Sequence, residues 1–209
     1  MGRLRDNGDT AMPHIARLKI TLDEIEPTVM RRVEVPADIR LDDLHLVVQI
    51  AMGWENYHLY EFRVGDMAWG IPDPDIRGFS PDEPLAARKA TLADLLAHAG
   101  GKTFQYAYDF GDGWEHTVTV EAIAEAAPDA VYPRLVAAER ACPPEDVGGP
   151  WGYAEYLKAI ANRRHKRHRE LTAWRGPGFD PATVDEESIR KGLAAIARRM
   201  TRRKPRAHT

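Results

Sequence analysis

Cysteine is almost absent: Cys142 is the only one in 209 residues. An intramolecular disulfide and a zinc site built from CxxC pairs are thereby excluded, and a reducing compartment is the expected setting. Long apolar runs are also missing. No stretch approaches the roughly 18 consecutive apolar residues of a membrane span, and the opening MGRLRDNGDTAM carries two arginines but no hydrophobic segment of the signal-peptide kind. These absences predict a cytoplasmic protein without membrane contact. Serine is scarce as well, with only Ser80 and Ser188. Ser80 precedes a proline in a loop and Ser188 opens a terminal helix, so neither reads as a recombinase nucleophile framed by arginines. GxSxG, GxGxxG and the P-loop pattern are missing too, which removes the simplest routes to a serine hydrolase, a Rossmann enzyme or a P-loop NTPase.

What is present is an ordinary globular balance, 44% hydrophobic and 29% charged, enough for one domain with a sizeable core. The net charge of -3 hides an uneven distribution. From Lys158 onward 15 Lys and Arg stand against 5 Asp and Glu, whereas the preceding residues hold 14 against 27. One basic cluster is RRHKRHR at Arg163 to Arg169, and the other ends the chain. Solvated helix faces and a frayed terminus account for both. The terminal cluster also predicts weak, salt-sensitive, sequence-independent nucleic-acid contact through Arg198, Arg199, Arg202, Arg203, Lys204 and Arg206. The expected organisation is a disordered segment over residues 1–12, one domain over 13–197 and a basic tail over 198–209.

Hydrophobic periodicity predicts strands at Ile15 to Leu22 and Val29 to Val35, then a helix at Leu41 to Met52 with Leu44, Val47, Val48 and Ala51 on its buried stripe and Gly53 at its end. Strands follow at Tyr57 to Val64 and Met67 to Ile71 across Gly65-Asp66, so the opening order is ββαββ and resembles that of a β-grasp domain. Residues 72–84 read as a surface loop rich in Pro, Asp and Gly. Thr91 is placed to cap a short helix through Ala97. Alternation from Phe104 to Phe110 and from His116 to Val120 predicts a hairpin, and two helices follow, one carrying Tyr153, Tyr156, Leu157 and Ile160 and one from Asp185 to Met200. The fold class is α+β, a mixed sheet of about six strands with helices mainly on one face.

Two segments concentrate the reactive side chains. YDFGDGWEH, Tyr108 to His116, sets carboxylates, an indole and an imidazole around one turn. A two-residue turn at Asp112-Gly113 would pair Asp109 with His116 on one face, where a carboxylate fixes the tautomer of the ring; a Gly111-Asp112-Gly113 loop would pair His116 with Tyr108 instead. CPPEDVGG supplies Cys142, Glu145 and Asp146 in a segment stiffened by prolines, with Gly148 and Gly149 permitting close approach. The two segments are expected to meet in a polar pocket made of Asp109, Asp112, Trp114, His116, Cys142, Glu145, Asp146, Gly148 and Gly149. As a binding module the pocket would take an unidentified protein or small ligand. As a metal-dependent hydrolase or nuclease it would use Asp109, His116, Cys142 and Asp146 as ligands, with His58 able to add an imidazole. Because the spacing matches no diagnostic metal motif, neither a cofactor nor a tightly bound metal is expected.

HLYEFRV, YDFGDGWEH, CPPEDVGGPWGY and the late FDP at Phe179 to Pro181, in this order, resemble the plasmid pRiA4b ORF-3-like family over about residues 13 to 195. The resemblance implies a compact α+β domain found in bacteria, archaea and mobile elements, where passenger proteins of insertion sequences carry the label TnpR. It implies no established activity. The scarcity of serine disfavours the resolvase chemistry that the label suggests, and an accessory binding role is the expected function.

Overall fold

The computed structural model describes residues 13–73, 83–176 and 178–203. Most of the loop expected over 72–84 lies outside them, as do the leading segment 1–12 and the last residues, including Lys204 and Arg206. Among the described residues eight strands form one sheet: β1 (His14–Leu22), β2 (Val29–Pro36), β3 (Tyr60–Val64), β4 (Met67–Gly70), β5 (Leu85–Ala86), β6 (Thr103–Tyr108), β7 (Trp114–Glu125) and β8 (Arg134–Glu139). Their order is β5-β4-β3-β6-β7-β1-β2-β8. All neighbours are antiparallel except β4 and β5, so the sheet is mixed. The ββαββ opening is present, but the β6–β7 hairpin inserts between β3 and β1. The α+β class is as expected, with eight strands instead of six. The additional ones are the two-residue β5 and the edge strand β8, whose RLVAAE sequence buries only Leu135 and offers no alternation to detect.

The helices are α1 (Leu41–Met52), α2 (Leu92–Ala99), α3 (Gly149–Ala161), α4 (His168–Arg175) and α5 (Glu186–Arg203). Helix α1 has the bounds its apolar stripe predicts, and it ends where Gly53 adopts φ 93°. Thr91 caps α2 in a reciprocal box with Asp94, which satisfies two otherwise orphaned backbone donors. Helix α4 lies at the end of the basic RRHKRHR cluster, where few apolar residues mark a periodic stripe; Leu171 is its one buried residue. Among the described residues no helix is long and apolar enough to cross a membrane.

Sheet register separates two faces. Leu18, Ile20, Leu22, Val33, Val35, Phe62, Phe104, Tyr106, Tyr108, Val118 and Val120 are buried on the inner face, beneath the helices. The outer face is polar. Arg17 and Arg134 close on Glu34 from both sides, and Arg32 pairs with Glu121 across the strands. Burial alone would raise the carboxyl pKa of Glu34, but the hydrogen bonds from Arg17 and Arg134 outweigh it and hold the group below the usual range.

Candidate functional site

The hairpin between β6 and β7 has neither of the two expected registers. Tyr108 pairs with Trp114 and Tyr106 with His116, leaving a five-residue connection from Asp109 to Gly113. Asp109 takes φ 52° and turns its carboxylate back on the loop, where Oδ1 accepts from the backbone nitrogens of Gly111 at 3.1 Å and Asp112 at 3.3 Å. This local side-chain turn competes with strand pairing and ends β6 two residues before Phe110. Asp109 is therefore not opposite His116. The Nδ1 of His116 donates to the Tyr106 carbonyl at 3.0 Å, and the ring is fully buried. Burial depresses its pKa to about 4, so it is neutral at physiological pH. Trp114 is equally sealed, at 0% exposure.

The two motif loops do meet. Gly148 N donates to Asp112 Oδ2 at 3.0 Å, and Gly149 lies so close that a Cβ there would stand 2.2 Å from the Asp112 carbonyl oxygen. Tyr108 donates its hydroxyl to Glu145 Oε1 at 3.0 Å and accepts from Tyr57 N at 3.1 Å. Burial, followed by the Glu145 hydrogen bond, pushes the Tyr108 pKa upward and keeps it a donor. Glu145 Oε1 also accepts from Glu55 N at 2.8 Å. Beneath these contacts the Trp54 indole donates to the Pro143 carbonyl at 3.0 Å and stacks on Tyr108 with centroids 4.9 Å apart.

At the surface of this junction His58 faces two carboxylates, with Nε2 3.0 Å from Asp146 Oδ1 and 3.5 Å from Asp109 Oδ2. The three residues offer ligand atoms all within 4.8 Å of one another. Asp109 and Asp146 both have left-handed backbones, φ 52° and 56°, conformations that carry strain in residues with a Cβ. The structure thus gathers Asp109, Asp112, Glu145, Asp146, Gly148 and Gly149. It places Trp114 and His116 underneath, closed to any ligand at the surface. Cys142 is also separated: it lines a cavity on the other side of the loop, and burial pushes its thiol pKa well upward despite nearby Arg31. Asp109 and Asp146 are thus joined at the surface by His58 rather than by His116 and Cys142, and among the described residues His58, Asp109 and Asp146 converge closely enough to share an ion. The sign of it in the sequence was WENYHLYEF: β3 begins at Tyr60 rather than Tyr57, which frees His58 to turn toward the loops.

The FDP motif is structural here. Asp180 Oδ1 accepts from Ala182 N and its Oδ2 from the Thr183 hydroxyl, while Phe179 packs edge-on against Tyr156. Of the expected nucleic-acid contacts, Arg198, Arg199 and Arg202 lie within α5, and Arg199 is ion-paired with buried Asp43.

A chain with this fold is known from an archaeon. It is similar to a crystal structure of a protein of unknown function, MM3350 from Methanosarcina mazei Go1, at 34% identity and a TM-score of 0.73, covering 84% of this chain and 97% of that one. It is also 45% identical over 190 residues to the uncharacterized protein y4hQ of Sinorhizobium fredii (strain NBRC 101917 / NGR234), with 90% of this chain and 95% of the relative covered. The sequence profile for the plasmid pRiA4b ORF-3-like protein matches residues 14–188, a span containing both loops of the junction, and the chain belongs to the plasmid pRiA4b ORF-3-like family.

Proposed function

We propose that the chain is a non-catalytic binding module whose recognition face is the loop junction, and that it takes a basic segment of a protein partner. The supporting observation is the company this face keeps. Carboxylates of Glu55, Asp112 and Asp146, with Asp109 and Glu145 more deeply set beside them, lie on segments that also leave Tyr57, Leu59, Phe110 and Trp151 exposed, Trp151 at 79%. Leu59 and Asp109 are joined by a backbone hydrogen bond, and Trp151 follows Gly149 by two residues. Large side chains left in water beside charge of one sign are the usual anchors of an interface, and the charge selects a partner of the opposite sign. An accessory role beside mobile DNA is the biological setting that the TnpR resemblance suggests.

Selection of a random displayed-peptide library on the immobilised full chain is expected to enrich Lys or Arg next to a large apolar residue. The double variant Phe110→Ser/Trp151→Ser is expected to lose capture with an unchanged unfolding temperature. Enrichment of acidic peptides, or capture indifferent to that variant, would overturn the proposal.

His58, Asp109 and Asp146 favour a second reading, in which one imidazole and two carboxylates hold a zinc or manganese ion that activates water. The binding-module reading expects well below one metal per chain by elemental analysis after mild purification. About one ion per chain, lost in His58→Ala/Asp146→Ala, would favour the hydrolase instead.

A further inference from the structure

Among the described residues the inner face of the sheet is mostly apolar, and near its edge it carries the buried cation Arg31. Arg31 stands opposite Ile20 of β1, between Val29 and Val33, where strand alternation directs side chains to the core. It exposes 1% of its surface. Nε donates to the Ala51 carbonyl at 2.6 Å, and Nη1 donates to the carbonyls of Met30 at 2.8 Å and Glu139 at 2.9 Å. Those acceptors use three of the five guanidinium hydrogens. Nη2 has no acceptor among the described residues and is not sealed from its surroundings. No carboxylate of the described residues forms an ion pair with Arg31.

Arg31 lines an open cavity of about 880 Å³ between the end of α1, Cys142 and the chain leading into α5. That volume falls in the range of small-molecule sites. Ile50, Trp54, Phe179, Val184 and Ile189 give it apolar walls. Burial disfavours a charged guanidinium that has no directly paired carboxylate, and Glu186, itself paired with Arg190, compensates it only from a distance. The C-terminal carbonyl of α1 offsets part of that, and the two remaining hydrogens both belong to Nη2, which can donate a charge-assisted hydrogen bond to an oxygen of a carboxylate. Asp180 and Asp185 also line the cavity. Asp180 is occupied by its own turn and Asp185 Oδ1 accepts from Ser188 N at the start of α5; their charge disfavours a ligand carrying more than one negative charge.

We propose that this cavity binds a small monocarboxylate with an apolar body, its carboxylate on Arg31 and its body among the apolar walls. The site uses none of the carboxylates of the recognition face and does not rest on that reading.

The test titrates the full chain by calorimetry with octanoate, with 1-octanol as the neutral partner of equal length, and with inorganic phosphate. Octanoate is expected to saturate one site per chain and octanol to bind at least about tenfold more weakly. Val184→Trp fills the cavity without touching the carbonyl contacts of Arg31, and Arg31→Lys keeps the charge but has no group at the position of Nη2. Each is expected to weaken octanoate at least about tenfold, judged in whichever of the two retains the wild-type unfolding temperature. Equal binding of octanoate and octanol, unchanged octanoate affinity in a folded variant, or no saturable octanoate binding would overturn the proposal. Preference for phosphate would overturn the assignment of a monocarboxylate.

Discussion

Gly149→Ala is expected to destabilise the protein by about 3 kcal/mol or more and to part the two motif loops. Two independent effects add at this position. Its φ of 68° is left-handed, a conformation that a residue with a Cβ adopts at a penalty of roughly 1–2 kcal/mol. The new Cβ would also stand 2.2 Å from the Asp112 carbonyl oxygen, a backbone atom that cannot swing aside as a side chain end can. Relief requires α3 to withdraw from the hairpin, which breaks the hydrogen bond from Gly148 to Asp112. Gly148→Ala is the control: its φ is 92°, but its Cβ would meet only the Gly152 Cα at an ordinary 3.5 Å. It should lose only the conformational part, roughly 1–2 kcal/mol. Denaturant midpoints of the two variants measure the difference, and equal losses would show that the close approach to Asp112 contributes nothing.

Acidification is expected to unfold the protein in a window set by two buried histidines. Burial depresses the pKa of both His45 and His116 to about 4. His45 is stacked on Tyr60 at 3.5 Å and hydrogen-bonded to Tyr106 and Asn56, while His116 lies beneath Trp54. In the unfolded chain each ring titrates near 6.5. The unfolded state therefore binds two protons that the native state refuses between about pH 6.5 and about pH 4. Stability is unaffected above that window and falls as the pH drops through it, by about 3 kcal/mol for each ring. Carboxylates held low, such as Glu34, lose their contribution only below the ordinary carboxylate pKa and so act at lower pH. Urea midpoints at about pH 7 and about pH 4.5 should differ sharply in the wild type. The variant His45→Gln/His116→Gln, weaker at neutral pH, should show a much flatter profile. An unchanged slope in that variant would move the acid sensitivity to other groups.

The elements with a strong period were legible from the residues: α1 carries an uninterrupted apolar stripe, β1 and β2 alternate, and α5 buries Ile189, Leu193, Ile196 and Ala197 as spaced. The Thr91 cap was equally local, whereas its reciprocal bond with Asp94 came from the structure. Strand β8 and helix α4 were not legible, because β8 owes its conformation to pairing with β2 and α4 offers almost no apolar face.

The candidate site divides in the same way. The residue strings by themselves determined which side chains are chemically unusual, that two loops hold them, and which family the chain resembles, since composition and order along the chain suffice for that. Tertiary structure alone decided which of them share a surface. A carboxylate that bends back on its own backbone at Asp109 accompanies the five-residue hairpin connection, so Asp109 leaves the strand while Trp114 and His116 stay on the buried face of β7, and His58, far earlier in the chain, faces Asp109 because β3 pairs with β6. Register depends on competition between side-chain and ladder hydrogen bonds whose energies differ little, and burial depends on everything packed above, so neither is encoded in any short stretch of sequence.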